Sequence, residues 1–103
     1  MRYKIFKVCV DPVQKETVTK TTLCVVISPD VMNDNLNSAI VAPLTHSIKG
    51  IPFRPLTSYN GYSSAIALDQ TKTISKTRLI QEMGHLSPTE IQAVKKALYE
   101  MYQ

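Results

Sequence analysis

Hydrophobic positions along this chain fall into short runs, cut apart by polar and proline-bearing segments. Residues 2–10 alternate loosely and are rich in Tyr, Ile, Phe and Val, which predicts a strand ended by Asp11-Pro12. Residues 12–20 lack a clear period and read as a polar loop or loose hairpin. Residues 21–27 form a continuous apolar run, the pattern of a strand buried on both faces. Ser28-Pro29-Asp30 ends it and also carries a helix-start signal, so a single short turn through Val31 and Met32 is expected. Residues 33–37 are a polar turn, and a third strand is predicted over residues 38–44.

Beyond the Lys49-Gly50 turn, residues 51–56 predict a fourth strand. Residues 57–62, with Asn60-Gly61 at their centre, carry the strongest hairpin signal in the chain, because Asn-Gly tolerates the positive φ values of a tight turn. Residues 63–68 predict a fifth strand, Asp69-Gln70 interrupts it, and residues 72–75 predict a short sixth. Residues 76–83 read as a short helical turn ending at Gly84. The closing helix has the clearest start: Ser87-Pro88-Thr89-Glu90 is a capping box with proline at the first helical position, and Leu86 and Ile91 occupy the staple positions around it. Ile91, Val94, Leu98 and Met101 then recur at helical spacing, with Lys95, Lys96 and Glu100 facing out.

Short strands joined by turns and closed by one helix predict a mainly β fold, a small and strongly bent antiparallel barrel. At 103 residues, without a repeat or linker, the chain is read as a single domain over 1–103. No stretch approaches the ~18 consecutive apolar residues of a membrane-spanning helix. The basic, apolar N-terminus is not read as a signal peptide, because Lys7 interrupts its apolar run, Asp11 ends it and no small-residue cleavage site follows. A cytoplasmic protein without membrane contact is expected. Cys9 and Cys24 each sit inside a strand-like run and read as reduced, buried small hydrophobes. Twelve Lys+Arg against eight Asp+Glu give +4, a mild basic bias compatible with a polyanionic partner.

Candidate chemistry gathers in Ser38-Ala39-Ile40-Val41-Ala42-Pro43-Leu44-Thr45-His46-Ser47-Ile48-Lys49-Gly50. An apolar strand there delivers a hydroxyl and an imidazole side by side, with a cation in the loop beyond, and functional residues commonly sit on loops held by rigid elements. Nothing else is signalled. His46 and His85 are far apart and no cysteine partners them, so neither a metal nor another cofactor is expected. With three glycines the chain offers no phosphate-cradling loop.

Five motifs in order resemble the MazF/PemK/Kid toxins. They are Val10-Asp11-Pro12; Cys24-Val25-Val26-Ile27-Ser28-Pro29-Asp30; Ala42-Pro43-Leu44-Thr45; Lys49-Gly50-Ile51-Pro52-Phe53; and Leu68-Asp69-Gln70-Thr71-Lys72-Thr73-Ile74. The resemblance implies the SH3-like barrel shared with the CcdB toxins and a homodimer. It also implies metal-independent endoribonuclease activity on single-stranded RNA, restrained by a cognate antitoxin protein. The chain departs from the pattern where the family usually carries Arg-Pro, since Thr22-Leu23 stand there and the principal phosphate-binding arginine is absent. Some members carry a further arginine where this chain has Ala67.

Cleaving RNA without a metal requires a base for the 2′-hydroxyl proton, an acid for the leaving oxygen, and cations or donors aimed at the phosphorane. By resemblance, Thr45 donates to a phosphate oxygen and Asp69 takes part in catalysis, with Gln70 structural. Each also has an ordinary reading, Thr45 as a strand-end hydroxyl and Asp69 as a turn cap. His46 suits proton transfer, histidine being the side chain whose ordinary pKa lies nearest neutrality, or is simply an exposed turn histidine. Lys20 is the cation nearest the missing arginine, though it lacks the planar fork for bidentate phosphate binding. Glu16, Thr17, Lys49, Lys72 and Arg78 are candidates to line an RNA groove, against the plain reading of solvated surface. Tyr59 and Tyr62 are candidates to stack on unpaired bases. The rival is a non-catalytic protein on the same fold, either a CcdB-like topoisomerase poison or a degenerate member that only binds an antitoxin.

Overall fold

In the computed structural model the described residues are 1–9, 21–46, 53–59 and 62–102. Seven strands and two helices follow one another as β1 Lys4–Cys9, β2 Thr21–Val26, α1 Asp30–Asn35, β3 Ser38–Thr45, β4 Leu56–Tyr59, β5 Tyr62–Ile66, β6 Lys72–Ser75, β7 Leu79–His85 and α2 Pro88–Met101. The strands form one antiparallel, curled sheet in the order β4-β5-β3-β2-β1-β7, with β6 paired to β3 off that path.

Strand alternation sends side chains to two faces, and both are covered, which is why β2 reads as unbroken apolar sequence. On one face Ile5, Val25, Ala42, Ile66 and Leu68 pack with Leu86, Val94 and Ala97 from the α2 side. On the other, Val8, Cys24, Val26, Val41 and Ile74 form a second cluster inside the curl. The expectation of a strand buried on both faces holds at Cys24, Val25 and Val26, all 3% exposed or less. Cys9 does not follow its partner. It is only partly buried, because it ends β1 opposite Thr21.

β3 organises the sheet. One edge pairs with β2, from Cys24↔Pro43 to Val26↔Val41. The other edge serves two strands in turn. Ser38 to Val41 pair with β6, and Leu44 and Thr45 pair with β5. At the changeover the chain makes a 3₁₀ turn, Leu68–Gln70, and the Ala67 amide donates to the Pro43 carbonyl at 2.9 Å. Buried Leu68 plugs this turn into the core and places Asp69 beside the break.

Two predicted elements are corrected. The fourth strand begins at Leu56 rather than residue 51. Residues 51 and 52 lie outside the described set, Phe53 takes a positive φ of 65°, and Pro55 has no amide to donate, so pairing starts only after it. Tyr59 pairs with Tyr62, which leaves Asn60-Gly61 as the two-residue connection that the sequence placed there; these two are themselves outside the described residues. Residues 76–83 are not a helix. A single 3₁₀ turn, Lys76–Arg78, is capped by the Ser75 side chain accepting from the Thr77 amide, and β7 follows. β7 pairs with β1 from Lys4↔His85 to Val8↔Leu79 and satisfies the β1 edge, a demand stronger than local propensity.

The turn expected through Val31 and Met32 is a six-residue helix, α1, anchored by Asn33, which donates to the Ser28 carbonyl at 2.8 Å. The α2 capping box is formed as read. Ser87 Oγ accepts from the Glu90 amide at 3.2 Å, and the Glu90 carboxylate accepts from the Ser87 amide at 2.8 Å.

Candidate nucleic-acid interface

Alternation along β3 points Val41 and Pro43 into the curl, on the face away from α2, and carries Thr45 to that same side two residues further on. Thr45 therefore stands about 7 Å along the strand from Pro43. It is half-buried and opposite Ala65 on β5. His46 follows at once and is exposed.

Further back along the strand, at Val41 and Pro43, lies a small, partly closed cavity of ≈ 50 Å³. Thr22 and Cys24 reach it from β2, Pro43 from β3, Lys72 from β6 and Arg78 from the 3₁₀ turn before β7. Lys72 owes its position to the Val41↔Lys72 pair. Arg78 is oriented by its Nε, which donates to the Cys9 carbonyl at 2.8 Å. Burial pushes the Cys24 thiol up to about 11, against the opposing pull of the Lys72 and Arg78 charges. The thiol is therefore neutral at physiological pH, and no carboxylate stands among the described lining residues.

Asp69 is engaged elsewhere. Its two carboxylate oxygens accept from Arg54 Nε at 2.9 Å and Arg54 Nη2 at 3.0 Å, a bidentate pair. The hydrogen bond from Arg54 holds the Asp69 carboxyl below its ordinary range, and the same bond raises Arg54. Asp69 is thus ionised, and it is reached from Thr45 only by returning along β5 from Ala65 through the 3₁₀ turn. Arg54 also borders a shallow groove of ≈ 280 Å³ together with Phe53, Pro55 and the Lys96 and Glu100 side of α2. That groove lies on the other face of the sheet from the cavity and carries charges of both signs.

The structure thus brings Lys72 and Arg78 together on the side of the sheet that bears Thr45, and it pairs Asp69 with an arginine. Tyr59 ends β4 on the sheet edge, opposite Tyr62. Glu16, Thr17, Lys20 and Lys49 lie outside the described residues. One participant carried no sequence signal of its own: Arg54 meets Asp69 only because the β4–β5 hairpin folds the chain back. Among the described residues no group of three or more His, Cys, Asp or Glu gathers as a metal site. No helix among them is long and apolar enough to cross a membrane.

A curled antiparallel sheet closed by a C-terminal helix defines a small half-barrel domain. The chain belongs to the family described as PemK-like, MazF-like toxin of type II toxin-antitoxin system, whose pattern matches residues 1–102. No curated protein sequence matches the chain. Solved structures share the fold at low identity. The Mycobacterium tuberculosis toxin MazF-mt6 superposes with a TM-score of 0.79 at 20% identity, over 96% of this chain and 95% of that one. The MazE-MazF crystal structure (Form-III) from Deinococcus radiodurans gives 0.79 at 17% identity, over 98% and 94%. An endoribonuclease in complex with its cognate antitoxin from a mycobacterial species gives 0.77 at 14% identity, over 97% and 89%.

Proposed function

We propose that this protein is the toxin of a type II toxin-antitoxin pair and cuts single-stranded RNA without a metal ion, as a cytoplasmic homodimer held in check by its cognate antitoxin. The observation that carries the reading is the placement of Thr45 on the same sheet face as the hollow lined by Lys72 and Arg78. The solved relative described as an endoribonuclease bound to its antitoxin supports both the activity and the partner.

In the reaction the ribose 2′-hydroxyl oxygen attacks the adjacent phosphorus and loses its proton to a base. The bond from phosphorus to the 5′-oxygen breaks, and that oxygen takes up a proton. The products are a 2′,3′-cyclic phosphate and a 5′-hydroxyl, and no water is consumed. Thr45 donates to a non-bridging oxygen, and the cations balance the charge that grows in the phosphorane. His46, exposed and adjacent, serves proton transfer. Asp69, ionised and forked to Arg54, fixes that guanidinium at the β3 changeover rather than delivering a proton. Lys20 is the proposed cation in place of the absent arginine, and Glu16, Thr17, Lys49 and Tyr59 are proposed contacts to the RNA strand.

The test is incubation of the purified protein with a long single-stranded RNA in excess chelator. Defined fragments that vanish for Thr45→Ala are expected. Intact RNA with growth arrest on expression would favour a non-catalytic toxin, and the threonine at position 22, where the family carries arginine, is the feature that keeps this second reading in play.

A further inference from the structure

We propose that the outward face of α2 is a second, sequence-tolerant contact for single-stranded RNA, on the opposite side of the sheet from Thr45. The choice of RNA as the ligand rests on the nuclease reading. The face itself stands on the exposure, chemistry and spacing of its side chains.

An α-helix turns about 100° per residue, so Gln92, Lys95, Lys96, Tyr99 and Tyr102 share an arc of about 120°. The other side of the helix serves the core. Val94 and Ala97 are buried there, with Ile91, Leu98 and Met101 packed against the same cluster. The outward arc is exposed throughout: Tyr99 at 69%, Tyr102 at 78%, and Gln92, Lys95 and Lys96 with them.

Two phenol rings three residues apart offer flat surfaces on which bases stack whatever their identity. Lys95 stands four residues before Tyr99 and Lys96 three, so an ammonium flanks that ring within one turn. Among the described residues neither lysine has a hydrogen-bonded or ionic partner. Glu100 lies at the margin of the arc, where it borders the groove beside Phe53, so the face carries two positive charges against one negative. A single strand supplies both matching groups, phosphates for the lysines and unstacked bases for the rings. A duplex keeps its bases stacked inside and gives the tyrosines nothing to hold. An apolar protein surface would cover the lysines without a counter-charge, which costs their hydration.

The molecule measures 39 × 31 × 22 Å, and α2 covers the face of the sheet away from Thr45. A short oligomer therefore occupies one site or the other, and a long strand reaches both. The α2 face raises the capture of long RNA without touching the bond to be cut.

The probe is a single-stranded oligodeoxyuridylate of about 10 nucleotides, the footprint of one small fold, which has no 2′-hydroxyl to attack and stays whole on the wild-type protein. Backbone amides of Lys95, Lys96 and Tyr99 are followed by NMR as it is added. Saturable shifts are expected there, with affinity at least about fivefold weaker in Tyr99→Ala, and a DNA hairpin duplex should leave these amides unmoved. Read from the same amides, Lys95→Gln combined with Lys96→Gln should lower the slope of log affinity against log salt by about 1.4, the share of two phosphates on a single strand. On long RNA this double variant should raise KM several-fold and leave kcat unchanged. Dispersed spectra show that each variant folds. Absence of wild-type shifts in α2, or shifts that persist unweakened in both variants, overturns the face and leaves the nuclease standing. Shifts in α2 with long RNA left intact by the wild type sink the nuclease and leave the face. A dimer by sedimentation that falls to a monomer in Tyr99→Ala overturns the face in favour of contact between copies of this chain.

Discussion

Replacing Glu90 with alanine removes the link between the start of α2 and the edge strand β4. One carboxylate oxygen accepts from the Ser87 amide at 2.8 Å, and the other accepts from the Thr57 hydroxyl and, at 3.4 Å, from the Ser58 amide. The last is too long to count for much. Hydrogen bonds to a charged group are worth about 1.5–3 kcal/mol net, and a negative charge in the first helical turn adds about 0.3–1 kcal/mol. Some of this returns when water reaches the freed groups, but Thr57 is only 6% exposed and is left without its acceptor. Glu90→Ala should therefore cost about 2–3 kcal/mol, a large part of the ~5–15 kcal/mol by which a domain of this size is stable. In urea, with a slope of about 1–3 kcal/mol/M, the midpoint should fall by roughly 1–2 M at fixed protein concentration. Glu90→Gln keeps the shape without the charge and should cost less.

The loss should also depend on pH. Burial pushes the Glu90 carboxyl up, but the bonds from Ser87, Thr57 and Ser58 together outweigh it and hold it below its ordinary range. A carboxyl depressed in the folded state contributes stability above its unfolded pKa, about 4.3, and loses it as pH falls through the folded value. The gap between wild type and Glu90→Gln should accordingly be full at neutral pH and close under acid. An unfolding free energy within ~0.5 kcal/mol of wild type for Glu90→Ala, or a gap that widens with acid, would refute this reasoning.

Leu68→Ala removes a fully buried side chain beneath the 3₁₀ turn and should cost about 2–5 kcal/mol by thermal or urea unfolding, whereas Ile80→Ala on the exposed side of β7 should stay within about 0.5 kcal/mol. Arg54→Gln and Asp69→Asn should slow RNA cleavage to the same extent, and the double variant should be no worse than either single one; additive losses would show that the two act apart. Cys24, buried and with its thiol pushed up to about 11, should resist alkylation in the native protein at pH 8 and react only after unfolding, as read by mass spectrometry.

Much of the scaffold was legible because it rests on local rules. The α2 start follows from Ser87, Pro88 and Glu90, each with its own reason to be there, and Leu86 and Val94 are buried as the spacing requires. β3 and β6 lie where apolar runs meet turn residues. β7 was missed because its residues have no clean period of their own, and what makes them a strand is the open edge of β1. The fourth strand was placed early because the positive φ of Phe53 leaves no mark in residue type.

The site divided along similar lines. Thr45, Lys72 and Arg78 were nominated residue by residue, but their grouping depends on β3 giving one edge to β6 and then to β5. No local pattern encodes that exchange. Asp69 was nominated without its partner, since fifteen positions separate it from Arg54 and only the fold closes the gap. Thr22 reads in sequence as a loss; in space it shares a cavity with two cations, Lys72 from β6 and Arg78 from the turn before β7.

The most direct measurement is the chemistry of the cut ends. RNA digested by the wild-type protein in excess chelator should carry 2′,3′-cyclic phosphate and 5′-hydroxyl termini, and a substrate bearing a single 2′-deoxy sugar on the 5′ side of the scissile bond should survive. Fragments ending in 5′-phosphate, or cutting that ignores the 2′-deoxy sugar, would contradict the account.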